Sequence, residues 1–386
     1  MIAQSLKTGE HLSDILKKNG WTYDDLIYKN SNSKVYKHIT PICLDDFKKN
    51  TSIPLVSFFS GCGGLDLGAE AVGFSNVACF ELDELCCKTL RKNRPNWTIM
   101  GPPYTNGDVS NFERIKEQLN AFSCKNFPGI FVGGPPCQPF SIAANQRFSK
   151  SDENFKRIGF LHEKNGNLLF DYINIIKEFK PRAFLIENVP GLFDIDNGKQ
   201  LLSAISELKN SGYYVEDPLI IDTSMLGLPQ QRIRLFVIGC LRKKIFHEPD
   251  TVSHLCGCGN VLLNNPNTLK KTTNHETREH TAVSIERYSI LDYGKRDLLG
   301  RINRLDPSLP SRTVIAGGTK GGGRSHLHPE IPRTLSVRES ARLQTFPDDF
   351  CFLGPTARQF TQVGNAVPPV LGAKITEVIR KSFFDK

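Results

Sequence analysis

The sequence is short of the features that would tie it to a membrane, a secretory route or a disulfide scaffold. No apolar run approaches the ~20 residues needed to cross a hydrocarbon core. The N-terminal stretch MIAQSLKTGEHLSDILKKNG has no apolar segment ahead of a small-residue cleavage site, so no secretory leader is expected and an intracellular setting is. The 11 cysteines are odd in number and without repeating spacing, which predicts free thiols. There is no internal repeat and no low-complexity tract, which argues against solenoids and disordered arrays. Metal-finger spacing is missing too. His254, Cys256, Cys258, His275 and His280 cluster in sequence, but C-x-C is tighter than the usual finger pair and no second pair follows, so no metal is expected. What remains is an ordinary globular composition, 39% hydrophobic and 23% charged. Its 386 residues suit two domains, or one large domain with an insertion. The net charge of +9 is compatible with nucleic-acid binding without demanding it.

Residues 1–50 are polar and read as an N-terminal helical appendage packing on the main domain. From residue 53 strand and helix patterns alternate. IPLVSFF, NVACFEL, GIFVGG, RAFLIEN and RIRLFVIG read as strands. LDLGAEAVGF, LCCKTLRKN, NLLFDYINIIKEFK and GKQLLSAISELKNSG, the last ending at Gly212, read as the helices between them. Phe170, Ile173, Ile176 and Phe179 set the helical spacing of the third. This rhythm predicts a doubly wound α/β sheet covered on both faces over residues 51–239. It stops after Gly239. Residues 240–350 read as a smaller, irregular or β-rich domain, and residues 351–386 as a segment returning to the first domain on a helix carrying Val370, Ile375 and Val378.

Several residues are candidates for chemistry. FFSGCGG lies between a strand and a helix, where backbone N–H groups suit a nucleotide-like ligand, with a plain tight turn as the alternative. Glu81 ends the next strand, where a carboxylate can hold ribose hydroxyls. Asp108, in GDVSNF, is either a ligand group or a turn cap. In GGPPCQPFS, three prolines forbid regular structure and would hold Cys137 at the sheet edge, where open α/β sheets bind ligands. Glu187 closes the strand RAFLIE, either solvated or functional. Arg232 and Arg234, two apart in a strand, would point to one face.

The ordered series FFSGCGG, Glu81, GDV, GGPPCQPFS, ENV, QQRIR, RESARLQTFPDDF and QVGNAVPP closely resembles the DNA cytosine-5 methyltransferases of bacterial restriction–modification systems. The resemblance implies a Rossmann-like S-adenosylmethionine domain and a smaller target-recognition domain. It implies that Phe59 stacks on adenine and that Gly61, Cys62, Gly63 and Gly64 pass under the methionine. Glu81 would hold the ribose, Asp108 the adenine amino group, and Leu82, Pro136, Asn365 and Ala366 would complete the cofactor site. Cys137 would be the nucleophile toward C6 of a flipped cytosine, assisted by Glu187, Arg232 and Arg234. Gln138 and Ser141 would touch the DNA, and the polar segment after them would close over the duplex. The glycine-rich stretch GGTKGGGRSHLHP suits phosphate or groove approach. The implied partner is double-stranded DNA, met by a monomer, with a restriction endonuclease as functional counterpart. The implied location is the bacterial cytoplasm, on the nucleoid when bound to DNA. The tRNA-methylating branch is the alternative. A nicotinamide-dependent oxidoreductase would use the glycine turn and Glu81 but leaves Cys137, Glu187 and GNAVPP unexplained.

Overall fold

Two short helices, α1 (Ile2–Thr8) and α2 (Leu12–Lys18), precede the first strand of a central sheet. The structure, a computed structural model, describes residues 1–30, 36–49, 52–136, 168–264, 272–316 and 326–385. Cys137, Gln138, Ser141, the polar segment after them, and residues 317–325 of the glycine-rich stretch lie outside the described residues. The chain divides into two compact units. One holds residues 44–223, 233–250 and 367–386, the other residues 1–43, 224–232 and 251–366.

The sheet unit is built from β1 (Ile53–Phe58), β2 (Phe74–Phe80), β3 (Ile99–Met100), β4 (Ile130–Gly133), β5 (Ala183–Asn188), β6 (Tyr214–Val215), β7 (Leu219–Asp222) and β8 (Ile233–Cys240). The connecting helices are α3 (Gly64–Ala71), α4 (Glu84–Asn93), α5 (Phe112–Ala121), α6 (Leu168–Phe179) and α7 (Lys199–Asn210). Strand order is β3-β2-β1-β4-β5-β8-β6, with β7 also paired to β8. Pairs among β1–β5 are parallel, as crossover helices require, whereas β8 runs antiparallel to β5, β6 and β7. β8 begins at Ile233, so Arg232 lies outside the strand in which the sequence reading put it.

Alternation along the strands divides the two faces. Val56 and Phe58 of β1 and Ala78 and Phe80 of β2 join the core with Ile115, Tyr172, Ile176, Phe179 and Leu208. On α6, Leu169, Tyr172 and Ile175 are fully inside, and Phe170 only partly. The other face takes α3 and the C-terminal helix Pro369–Phe383. These two come close enough that a Cβ on Gly68 would lie 2.3 Å from both the Ala373 nitrogen and the Pro369 oxygen. Val370 and Ile375 are buried as their spacing predicts, joined by Ile379 rather than Val378.

Regular structure is sparse in the second unit. β9 (Arg296–Asp297), β10 (Ile302–Arg304) and β11 (His326–Leu327) form a three-stranded sheet beside α8 (Ala282–Ser289), α9 (Val337–Leu343) and α10 (Thr356–Asn365). The N-terminal segment is part of this core rather than an appendage on the α/β body. Leu12, Leu16, Tyr23 and Leu26 pack with Ala282, Ile285, Tyr288, Ile302 and Leu327. Polar contacts lock it there. The Tyr28 hydroxyl donates to the His328 carbonyl at 2.8 Å, and the Arg304 guanidinium sits 3.5 Å from the Tyr28 ring centre. Buried Arg333 bonds Glu339 at 2.8 Å and Asp24 at 2.6 Å. Burial works against the charge of Asp24, but hydrogen bonding from His275 and the Arg333 guanidinium bring its carboxyl down to about 2.

Candidate active site

Strand order reverses between β1 and β4, which leave the centre of the sheet in parallel. The crevice beyond their carboxyl ends is where open α/β sheets receive ligands. After β1 the chain turns sharply: Phe59, Gly61 and Gly63 all have positive φ, at 56°, 57° and 87°. At Gly63, the residue before α3, a side chain would also run into Leu90, 2.6 Å from its Cδ2. Backbone bonds set the turn, from Ser60 N–H to the Phe80 carbonyl and from Gly63 N–H to the Ser60 carbonyl. The Gly61 N–H donates to Glu81 Oε2 at 2.6 Å, and the Asp83 N–H to Oε1 at 2.7 Å. The glycine turn and Glu81, 20 residues apart in sequence, are therefore one structural piece. Burial raises the Glu81 carboxyl against the lowering effect of these N–H bonds. The loop after β3 closes around the same residue. A Cβ on Gly101 or Gly107 would lie 2.1 or 2.0 Å from the Glu81 carbonyl oxygen, a constraint the sequence reading missed.

The remaining predicted residues on this side vary in setting. Phe59 meets Tyr172 edge-on at 6.2 Å. Cys62 is buried, and that burial pushes its thiol far up, so it is a packing residue rather than a nucleophile. Gly64 opens α3. Leu82 is 58% exposed, leaving its apolar side chain open beside Glu81. Asp108 Oδ1 accepts from the N–H and hydroxyl of Ser110 at 3.0 and 2.7 Å, the turn-capping role its sequence also allowed.

A second group forms where β4, β5 and β8 meet. Gly134, Pro135 and Pro136 follow β4, with Pro135 buried and Pro136 exposed. Glu187, near the end of β5, pairs through Oε1 with Arg234 Nε at 2.9 Å. A Cβ on Gly134 would approach Glu187 Oε2 to 2.9 Å, so only glycine lets the chain pass the carboxylate without displacement. Asn188 Nδ2 donates to the Pro135 carbonyl at 3.4 Å, tying the two strand ends together. The sequence signal for this tie was the Asn of Glu-Asn-Val. Glu187 and Arg234 are thus brought together beside Gly134, which precedes Cys137 by three residues in the sequence.

Arg232 and Arg234 have different partners. Arg232 is 2% exposed, and its guanidinium donates to the carbonyls of Val314 and Gly364 at 3.3 and 3.1 Å, within the second unit. The same region joins three quoted motifs. Gln230 Nε2 donates to Gln344 Oε1 at 2.7 Å, and Gln344 Nε2 donates to the Val363 carbonyl at 2.6 Å. QQRIR, RESARLQ and QVGNA are therefore knit by buried amides. Asn365 ends α10 exposed, and Ala366 caps it. Cys256 and Cys258 are buried, while His275 and His280 meet Ser336 and Thr334. No metal-holding group of three His, Cys, Asp or Glu occurs among the described residues.

The model of the C-5 cytosine-specific DNA methylases matches residues 53–381, the span that carries both groups. The chain belongs to this family. The methylase is 32% identical over 356 residues to the type II methyltransferase M.PspPI of Psychrobacter, covering 85% of this chain and 79% of that one. It is 31% identical to M1.HphI of Haemophilus parahaemolyticus, over 86% of this chain and 87% of the relative. Among solved structures, a prophage-encoded DNA modification methyltransferase of Escherichia coli shares the fold at TM-score 0.63 and 24% identity. It spans 85% of this chain and 99% of the other. As a DNA cytosine-5-methyltransferase, this methylase transfers methyl groups to C5 of cytosine. No helix among the described residues is long and apolar enough to cross a membrane.

Proposed function

We propose that the methylase modifies one cytosine within a short specific duplex sequence, flips that base out of the stack, and protects its host's DNA from a cognate restriction endonuclease. The relatives named type II methyltransferases support the last part. The observation that carries the catalytic part is the Glu187–Arg234 pair beside Gly134, which precedes the Pro-Cys motif in the sequence. In this reading the enzyme meets double-stranded DNA as a monomer, and residues 240–350 contain the target-recognition domain.

The residues present fit S-adenosylmethionine. A half-buried carboxylate held by two backbone N–H groups, beside a glycine turn at the crevice, suits a ligand bearing vicinal hydroxyls. Glu81, the turn from Phe59 to Gly64, Leu82, Asp108, Pro136, Asn365 and Ala366 would hold it. When bound, it supplies an electrophilic methyl group.

Cytosine C5 is a weak nucleophile, so the chain's own groups must raise its electron density. The Cys137 thiolate forms a bond to C6, and the C5–C6 π electrons move toward C5. Glu187 stabilises a proton at N3 as charge develops there, and Arg234 holds the Glu187 carboxylate in place while offering N–H donors to O2. Arg232 acts from its buried position by fixing the segment before β8. After C5 gains the methyl group it loses its proton, the ring double bond re-forms, and the thiolate departs. Flipping costs a few kcal/mol, which contacts from Gln138, Ser141 and the segment beyond them offset.

Trapping on a duplex containing 5-fluorocytosine tests this reading. Wild type should form a denaturation-resistant adduct, and Cys137→Ser should form none. A normal adduct in that variant removes the role given to the cysteine. Labelled methyl appearing in tRNA but not in duplex DNA removes the choice of substrate.

A further inference from the structure

The hairpin joining β9 to β10 has no role in the chemistry above, yet it is built with care. Asn303 pairs with Arg296 and Ile302 with Asp297 across the two strands, and Ile302 anchors the base in the core. Asp297 is buried and fully engaged. Its Oδ1 accepts from Arg287 Nε at 3.1 Å, and its Oδ2 from the Gly300 N–H at 2.6 Å, which folds the tip back on itself. Arg301 sits in the left-handed region at φ 53°, a conformation non-glycine residues rarely adopt outside a tightly set turn. The result is a fixed tip that exposes Leu298 by 82% and Leu299 by 79%. Lys295, Arg296 and Arg301, all exposed, flank the two leucines along the hairpin, and the one acid of the tip pairs with Arg287.

Two adjacent leucines this open are costly in water, and a cationic collar does not suit a self-associating apolar patch. It suits a polyanion whose interior is apolar. We propose that the Arg296–Arg301 hairpin is a DNA-reading element, in which Arg296 and Arg301 straddle phosphates while Leu298 and Leu299 enter a groove against base edges or thymine methyl groups. The inference rests on the reading of residues 240–350 as target recognition and names the element within them that makes contact. Arginines on the backbone set register, and the apolar tip carries sequence preference.

Direct binding to duplex DNA, by fluorescence anisotropy across a salt series, tests this without requiring turnover. Because the leucines are exposed, Leu298→Ala/Leu299→Ala should fold as wild type, checked by circular dichroism and unchanged S-adenosylmethionine affinity. It should weaken binding to the modified sequence about tenfold while leaving binding to unrelated duplex almost unchanged. Arg296→Ala/Arg301→Ala should weaken both duplexes and reduce the slope of log affinity against log salt by about 2. Wild-type affinities and salt slope in both variants would overturn the proposal while leaving the methylation reading intact. So would loss of a wild-type dimer in the leucine variant with unchanged DNA binding, which assigns the tip to a second copy of the chain. A wild type that binds no duplex overturns both readings.

Discussion

The buried carboxyl of Asp66 yields a prediction whose size follows from its surroundings. Asp66 lies in the first turn of α3, 0% exposed, beneath the glycine turn. Its Oδ1 accepts from the Cys79 thiol at 3.5 Å, and Ser57 also bonds it. Ser57 in turn accepts from the Ser60 hydroxyl at 2.9 Å, which connects the carboxyl to the turn itself. Burial outweighs these bonds and raises the acid from its ordinary 3.8 to about 6, with Glu70 adding like-charge repulsion. A carboxyl raised above its unfolded value makes the folded state the better proton binder. Stability therefore falls as pH rises from 3.8 through 6, and the loss is complete above that window. At pH 8 the buried charge costs about 3 kcal/mol, and at pH 5 about half of that. Asp66→Asn cannot ionise, so its stability relative to wild type should improve by about 1 kcal/mol between pH 5 and pH 8, whatever constant offset the amide brings. Trp97 reports on this region, since it packs on the cluster of Cys79, Cys87 and Leu90. The only other tryptophan is Trp21, so urea unfolding in a Trp21→Phe background isolates it. Stability differences that stay parallel within about 0.5 kcal/mol across this range would refute the reasoning.

Two other predictions follow from close contacts. Gly68→Ala places a methyl group 2.3 Å from backbone atoms of the C-terminal helix, which cannot yield as a side chain would. It should cost about 3 kcal/mol in denaturant unfolding, and a cost under about 0.5 kcal/mol would show that the helices separate freely. Arg234→Ala removes the partner of Glu187 and should slow methyl transfer about a hundredfold, with S-adenosylmethionine affinity retained. An equal loss of cofactor affinity would mean that the pair supports the fold rather than the reaction.

Much of the molecule was legible because the relevant physics is local. Short apolar runs placed β1, β2, β4, β5 and β8, and helical spacing placed α3, α4, α6 and α7, whereas α5 (Phe112–Ala121) was not read from the sequence. The two- to four-residue strands β3, β6 and β7 carry too few side chains to leave a period. Glu81 was identifiable as the end of a strand, but its bond to Gly61 required β1 and β2 to lie side by side. Glu187 and Arg234 were each visible as ionisable groups at strand ends. Their 2.9 Å pairing depends on β8 running antiparallel to β5, and nothing in either segment specifies that.

The arginines show the boundary most clearly. Two residues apart in sequence, Arg232 and Arg234 look equivalent, and alternation along a strand would put them on one face. The strand begins one residue later, so Arg232 spends its donors on Val314 and Gly364 carbonyls far along the chain. The N-terminal segment is a similar case. Its short helical pattern was readable, but its docking depends on Asp24 meeting Arg333 and Tyr28 meeting His328, roughly three hundred residues away. Sequence by itself determined which residue types stand at the ends of which strands, and with them the family and its chemistry, because backbone periodicity and motif order act over a few residues. Tertiary structure alone decided which of those side chains meet, because hydrogen bonds and ion pairs depend on ångström distances between segments that the chain brings together only by folding.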